Sequence, residues 1–326
     1  MTADTAAALP DRAALEAAAR LIRPVVPPTP QYAWPLLARR TGAEVWVKHE
    51  NHTPTGAFKI RGGLVYMDRL KRSRPEVTGV VAATRGNHGQ SVALAARRHG
   101  LTATIVVPHG NSVEKNAAME AFGAELIVHG EDFQESLEFA IGLAADRGLH
   151  ALPSFDMALV EGVGTYSLEF LTAVPDLETV YVPIGLGSGI CGMIAAREAL
   201  GLKTEIVGVV SAHAPAYALS VEAGRPVDHA VTTKIADGMA CRTPVPAALD
   251  IIGRHVARVV RVTDDEVRAA MCAFFTDTHN VAEGAGAAGL AALMQERDRQ
   301  QGRRVGVVLC GGNVDAAVFR EVLADT

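Results

Sequence analysis

The sequence predicts an α/β protein of two lobes, each with a mostly parallel, twisted sheet flanked by helices. Three observations carry this expectation. A chain of 326 residues is long for one compact core and short for three domains. Short apolar runs alternate with longer amphipathic ones, which is the βαβα order of a parallel sheet covered by helices. The alternation also comes in two separate series, one starting at Val80 and one at Thr179, so two sheets are expected.

In the first series Val80–Ala83 reads as a strand, Gln90–Arg98 as a helix, Ala103–Val107 as a strand and Ser112–Phe122 as a helix. Glu125–Val128 and then Phe133–Ala145 repeat the pattern. The second series has a strand at Thr179–Ile184, a helix near Met193–Leu200, and strands at Glu205–Val209 and Val305–Leu309. Thr263-Asp-Asp-Glu266 has capping-box spacing, in which a hydroxyl and a carboxylate satisfy each other's orphan amides, and predicts a helix running through Phe274. The proline-rich opening Pro24–Pro30 reads as an arm, and no internal repeat is visible.

Composition excludes several classes of function. With a formal charge of -5 and a pI near 6.1, nothing electrostatic favours nucleic acid or an anionic membrane surface, so a small soluble substrate is expected. The N-terminus from Met1 to Ala8 lacks the basic start and apolar run of a secretory signal, and no apolar stretch is long enough to span a bilayer, so a cytoplasmic protein is expected. Cys191, Cys241, Cys272 and Cys310 are far apart and form no CxxC pair. Neither a disulfide framework nor a metal site is predicted, and at least three of the four should be plain core residues.

Four loops at strand-to-helix junctions carry chemistry. Thr53-Pro-Thr-Gly-Ala-Phe-Lys59-Ile-Arg61 sets one lysine in a tight turn where an amphipathic segment begins. Burial there would lower its pKa and free a lone pair for attack on an aldehyde. In Ala83-Thr84-Arg85-Gly86-Asn87-His88-Gly89-Gln90 the unpaired amides of a first helical turn suit an anion such as a carboxylate, with Thr84 and Asn87 as further donors. Gly185-Leu186-Gly187-Ser188-Gly189 lets backbone close around a phosphate, with the Ser188 hydroxyl as a donor. A dinucleotide could use such a turn too, but this one lies late in the chain and no Walker lysine follows. Leu309-Cys310-Gly-Gly-Asn313 ends an apolar strand at a double-glycine turn, where ligands of parallel sheets gather. Pyridoxal phosphate has an aldehyde, a phosphate, a ring nitrogen and a phenolic oxygen, and accounts for all four loops together.

On these motifs the chain resembles the fold-type II pyridoxal phosphate enzymes, of which tryptophan synthase β is one, and more closely their serine/threonine dehydratase and serine racemase branch, the threonine ammonia-lyases included. The resemblance runs from Pro30 to Val318. It implies a large cofactor-binding domain of residues 1–58 and 155–326 and a small substrate-loop domain of residues 59–154. It also implies that Lys59 binds the cofactor covalently, with Phe58 beside the ring and Asn87 on its 3'-oxygen. Gly185, Leu186, Gly187, Ser188 and Gly189 would hold the phosphate, although Leu186 and Ser188 interrupt the branch's four-glycine form. Thr84, Arg85, Gly86, Asn87 and His88 would form the substrate loop, Ile235–Gly238 and Glu283 would lie near the site, and Cys310 would face the pyridine nitrogen. A thiol is a poor donor, so that nitrogen should stay largely unprotonated, which favours prompt β-elimination over transamination.

The implied activity is an ammonia-lyase acting on a β-hydroxy-α-amino acid to give a 2-oxo acid and ammonia. A racemase, a β-replacement synthase and a non-catalytic amino-acid-binding protein are the alternatives. Arg85 stands where racemases of the branch carry serine and many dehydratases alanine. Arginine is a poor base, which disfavours racemisation; it could read a β-carboxylate or a phenyl ring on the substrate, or simply top the loop in solvent. Val210 and Ala216 replace the acidic ligands of a divalent cation found in some relatives, so no cation dependence of that kind is expected. Val163 and the Pro153–Asp156 stretch also depart from the pattern and put plain threonine in doubt as the best substrate. The chain stops soon after Asn313, so feedback through a regulatory domain is not expected. A homodimer is the default assembly.

Overall fold

The computed structural model describes residues 8–324. The expectation of no secretory signal rests on residues that lie almost entirely outside that range. In chain order the strands are β1 (Gln31–Ala33), β2 (Glu44–His49), β3 (Gly79–Ala83), β4 (Thr102–Val107), β5 (Glu125–Val128), β6 (His150–Ala151), β7 (Thr179–Pro183), β8 (Glu205–Ser211), β9 (Arg258–Val262) and β10 (Arg304–Leu309). The helices are α1 (Arg12–Ile22), α2 (Pro35–Thr41), α3 (Lys59–Ser73), α4 (Asn87–Arg98), α5 (Val113–Ala121), α6 (Phe133–Arg147), α7 (Met157–Ala173), α8 (Ser188–Leu200), α9 (Ala216–Ala223), α10 (Pro246–His255), α11 (Asp264–Thr278), α12 (Gly284–Gln295) and α13 (Ala316–Ala324).

Two sheets form, as the two series of apolar runs require. One is a parallel four-stranded sheet in the order β5-β4-β3-β6. The other has six strands in the order β1-β2-β10-β7-β8-β9, parallel except for β1, which pairs antiparallel with β2. Their central strands are covered on both faces. All of β3 and all but the first residue of β8 are buried, which is why they read as continuous apolar runs and not as alternating ones. Helix α1 serves both cores, with Leu15 in the cluster around the large sheet and Ala18 and Ile22 in that around the small one. No helix among the described residues is long and apolar enough to cross a membrane.

The helices differ in how their first turns are capped. Asp11, Ser112, Asp132 and Asp156 accept from first-turn amides of α1, α5, α6 and α7, and Thr263 with Glu266 completes the expected capping box on α11. Of the remaining helices among α1 to α12, α2 and α10 start on proline and α9 follows one. That leaves α3, α4, α8 and α12, all without a side-chain cap. Two of these begin earlier than the sequence suggests, α4 at Asn87 instead of Gln90 and α8 at Ser188 instead of Met193. Their first turns are polar or glycine-rich, so apolar periodicity sets in only further along.

The expected arm at Pro24–Pro30 is a correction. Val26 and Thr29 are buried, the Thr29 hydroxyl donates to Glu50 Oε1 at 2.6 Å, and the Thr29 carbonyl accepts from Lys48 Nζ at 2.8 Å. The segment closes a buried charge cluster and does not project. Arg61 donates from Nε to Glu50 Oε2 at 2.7 Å and from Nη1 to Glu169 Oε1 at 2.8 Å, and Lys48 Nζ meets Glu169 Oε2 at 2.7 Å. Two cations and two carboxylates therefore balance beneath the first turn of α3, and the fold must keep all four together.

Candidate active site

Lys59 is the first residue of α3, and a laced loop fixes where it sits. The Thr53 hydroxyl donates to the Ala57 carbonyl at 2.7 Å while accepting from the Ala57 N–H at 3.0 Å. The loop is tied to the end of β10, since Phe58 N–H donates to the Cys310 carbonyl at 3.0 Å and Gly312 N–H to the Gly56 carbonyl at 2.9 Å. Lys59 Nζ thus lies at the carboxyl end of a central strand, 4.8 Å from the centroid of the Phe58 ring. Burial lowers its pKa, with Cys310 and Glu283 opposing that fall. The residue is half-buried and lines a cavity.

Across the cavity, β3 delivers Thr84, Arg85 and Gly86 to the start of α4. The first intrahelical bond runs from Gln90 N–H to the Gly86 carbonyl, so the amides of Asn87, His88 and Gly89 precede it. Thr84 Oγ1 accepts from Gly86 N–H at 3.0 Å and keeps its own proton to donate. Asn87 Nδ2 donates to Glu283 Oε1, and Asn87 Oδ1 accepts from Asn313 Nδ2 at 2.8 Å. The buried His88 Nε2 has no partner, and burial, with Lys59 nearby, pushes its pKa down to about 3, so the ring is neutral.

A third wall is the β7–α8 loop. Gly187 has φ +106°, a backbone conformation that side chains rarely adopt, and it leaves the amides of Ser188, Gly189 and Ile190 ahead of the first helical bond, Cys191 N–H to the Gly187 carbonyl. Tyr217 Oη donates to the Leu186 carbonyl at 2.9 Å and Tyr166 Oη to the Gly189 carbonyl at 3.3 Å, which pins the loop from below. Cys310 is buried, and burial raises its thiol pKa well beyond the usual range, so it stays protonated.

Of the expected residues, Lys59, Thr84, Arg85, Gly86, Asn87, His88, Gly185 and Leu186 line one cavity between the two sheets. Phe58, Gly187, Ser188, Gly189, Glu283 and Cys310 stand around it without lining it. Val163 is a core residue, 3.2 Å from where a Cβ on Gly62 would lie, and does not reach the cavity. Sequence reading missed Lys115, Phe133, Ala240 and Cys241 on the cavity wall. Lys115 had no signal to find, because in the sequence it is one more lysine near the start of an amphipathic helix.

The donor set fits pyridoxal phosphate. A lysine whose pKa is lowered by burial lines one cavity with the bare start of α4 and the loop that leads to α8, and the buried His88 Nε2 has no partner. Comparison with known proteins agrees. The family model described as pyridoxal-phosphate dependent enzyme matches residues 3–311. The chain is similar to an L-threonine ammonia-lyase of Thermotoga maritima, 33% identical over 95% of this chain and 77% of that relative. It is also similar to the catabolic L-threonine dehydratase of Escherichia coli, 31% identical over 87% of each. Among solved structures, maize serine racemase superposes with a TM-score of 0.90 at 27% identity, covering 98% of both chains.

Proposed function

The chain belongs to the pyridoxal-phosphate dependent enzyme family, and from that premise we propose that it is an ammonia-lyase converting a β-hydroxy-α-amino acid of the threonine or serine type into a 2-oxo acid and ammonia. One observation carries the reading: a lysine whose pKa is lowered by burial shares a cavity with the bare N-terminus of α4 and the first residues of the loop that leads to α8. The names of its relatives, L-threonine ammonia-lyase and L-threonine dehydratase, support the same reaction.

In this reading the amide and hydroxyl of Ser188 with the backbone of Gly185, Leu186, Gly187 and Gly189 would hold the cofactor phosphate, Phe58 would pack beside the ring, Asn87 would donate to the phenolic oxygen, and Cys310 would serve the ring nitrogen. When bound, pyridoxal phosphate supplies an aldehyde for the α-amino group and a conjugated ring that stabilises negative charge at Cα. Thr84 and the amides of Asn87 and His88 hold the substrate carboxylate. Lys59 Nζ takes the proton from Cα. The pair of electrons from that bond forms the Cα–Cβ double bond, the Cβ–O bond breaks, and Nζ returns a proton to the leaving oxygen, which departs as water. The released enamine then takes up water to give the 2-oxo acid and ammonia. Arg85 offers no base for a second face of Cα, which weighs against racemisation.

The reading includes a large lobe of residues 1–58 and 155–326 and a small lobe of residues 59–154, supported by the division into two sheets. It also includes a cytoplasmic location, supported by four buried free thiols that suit a reducing compartment, and a homodimer. The test is a 2-oxo-acid assay on threonine, serine, phenylserine and 3-hydroxyaspartate without any added nucleophile. Product formed only with an added nucleophile would replace the reading by a β-replacement synthase. Lys59→Ala should lose the visible absorbance of the bound cofactor and at least about a thousandfold in rate; an intact band in that variant removes Lys59 from its role.

A further inference from the structure

Lys115 is buried on the cavity wall, although no step of the reaction uses it. It rises from α5, on the side of the four-stranded sheet. Its Nζ lies 2.7 Å from Asp237 Oδ2 and 3.1 Å from Glu283 Oε2, both on the side of the six-stranded sheet. A Cβ on Gly86 would stand 2.4 Å from Lys115 Cδ, so the glycine makes room for the lysine stem. Burial alone would lower the pKa of this ammonium, but Glu283 and Asp237 outweigh it and hold the group charged.

We propose that Lys115 is a positioning residue: it bridges the two lobes, keeps the Glu283 carboxylate an acceptor, and through it fixes the Asn87 amide in one orientation. Both ends of that amide are assigned, Nδ2 to Glu283 Oε1 and Oδ1 to Asn313 Nδ2. Asn313 cannot reverse its role, because the same Nδ2 also donates to the Thr55 carbonyl at 2.8 Å. Turned over, Asn87 would set donor against donor and carbonyl against carboxylate. In the observed orientation one Nδ2 hydrogen stays free for the bound cofactor. Glu283 is 2% exposed, and desolvation raises its pKa against the pull of Lys115. Without the lysine it would take up a proton and compete for the contact that orients Asn87.

This inference rests on the cofactor lying between Lys59 and Asn87. It is tested by titrating apoprotein variants with pyridoxal phosphate and following cofactor absorbance. Lys115→Met should weaken binding roughly tenfold, the worth of one charge-assisted hydrogen bond, and Lys115→Arg should stay within about threefold of wild type. Glu283→Gln supplies an acceptor that needs no counter-charge. In that background Lys115→Met should cost no more than about twofold, and both proteins avoid an unpaired buried carboxylate that could prevent folding. In an Asn87→Ala background Lys115→Met should likewise add nothing. A tenfold loss in the Glu283→Gln background, or losses at Lys115 and Asn87 that multiply, overturns the proposal and leaves the lyase reading intact. Wild-type protein that fails to bind pyridoxal phosphate sinks both.

Discussion

Arg85 lines the cavity, is exposed, and has no carboxylate in ion-pairing reach among the described residues. It follows Thr84, which the proposed reading places on the substrate carboxylate, and the same reading offers Arg85 the substrate's β-substituent. Arg85→Ala is expected to lower kcat/KM on 3-hydroxyaspartate or phenylserine by tenfold or more while leaving threonine within about threefold, since only the former pair offers a carboxylate or a ring to a guanidinium. Steady-state kinetics on all four substrates decide this, and equal changes across them would assign Arg85 to solvent. Neighbouring His88 behaves differently. Its ring is neutral, and its buried Nε2 has no partner.

Four helices that lack a side-chain cap begin around the cavity, while the others among α1 to α12 are capped by a side chain, start at proline or follow one. Bare amides cost stability unless something accepts from them, and a phosphate and a carboxylate are acceptors of that kind. One of these helices, α3, is held from beneath by ions. Arg61 is fully buried, with Glu50 at 2.7 Å and Glu169 at 2.8 Å, and the carboxylates hold its pKa above the usual value against the effect of burial. Arg61→Met removes one cation and strands Glu50, so it should destabilise the fold by about 3–5 kcal/mol. Denaturant unfolding measures this, and a loss below about 1 kcal/mol would show that the cluster relaxes without its centre.

At the scale of the whole molecule, stability should depend on pH through a histidine that no step of the reaction uses. His49 ends β2 in the core, accepts from Trp34 Nε1 at 3.1 Å, and has its pKa pushed from 6.5 down to about 4, first by burial and then by His52. The unfolded chain binds a proton that the folded one refuses. The contribution of His49 is therefore complete above pH 6.5 and is lost as pH falls toward about 4, at up to about 1.4 kcal/mol per pH unit. His49→Gln should flatten the unfolding free energy by that amount over this window, and an unchanged slope would show that other groups carry the acid limb. The two sheets, the capping box at Thr263 and the strand-to-helix loops at Thr84 and Gly185 were all legible in the sequence, because periodicity and glycine placement are local properties of the chain. The segment Pro24–Pro30 was misread because proline content reports backbone preference and says nothing of the buried ions that Thr29 completes. Lys115 was invisible for the same reason. The sequence by itself determined the two series of strands and helices and the glycine-bearing loops between them; only the tertiary structure decided which charges meet, because Lys115 with Glu283 and Arg61 with Glu169 lie more than a hundred residues apart and are joined by the packing of one lobe on the other.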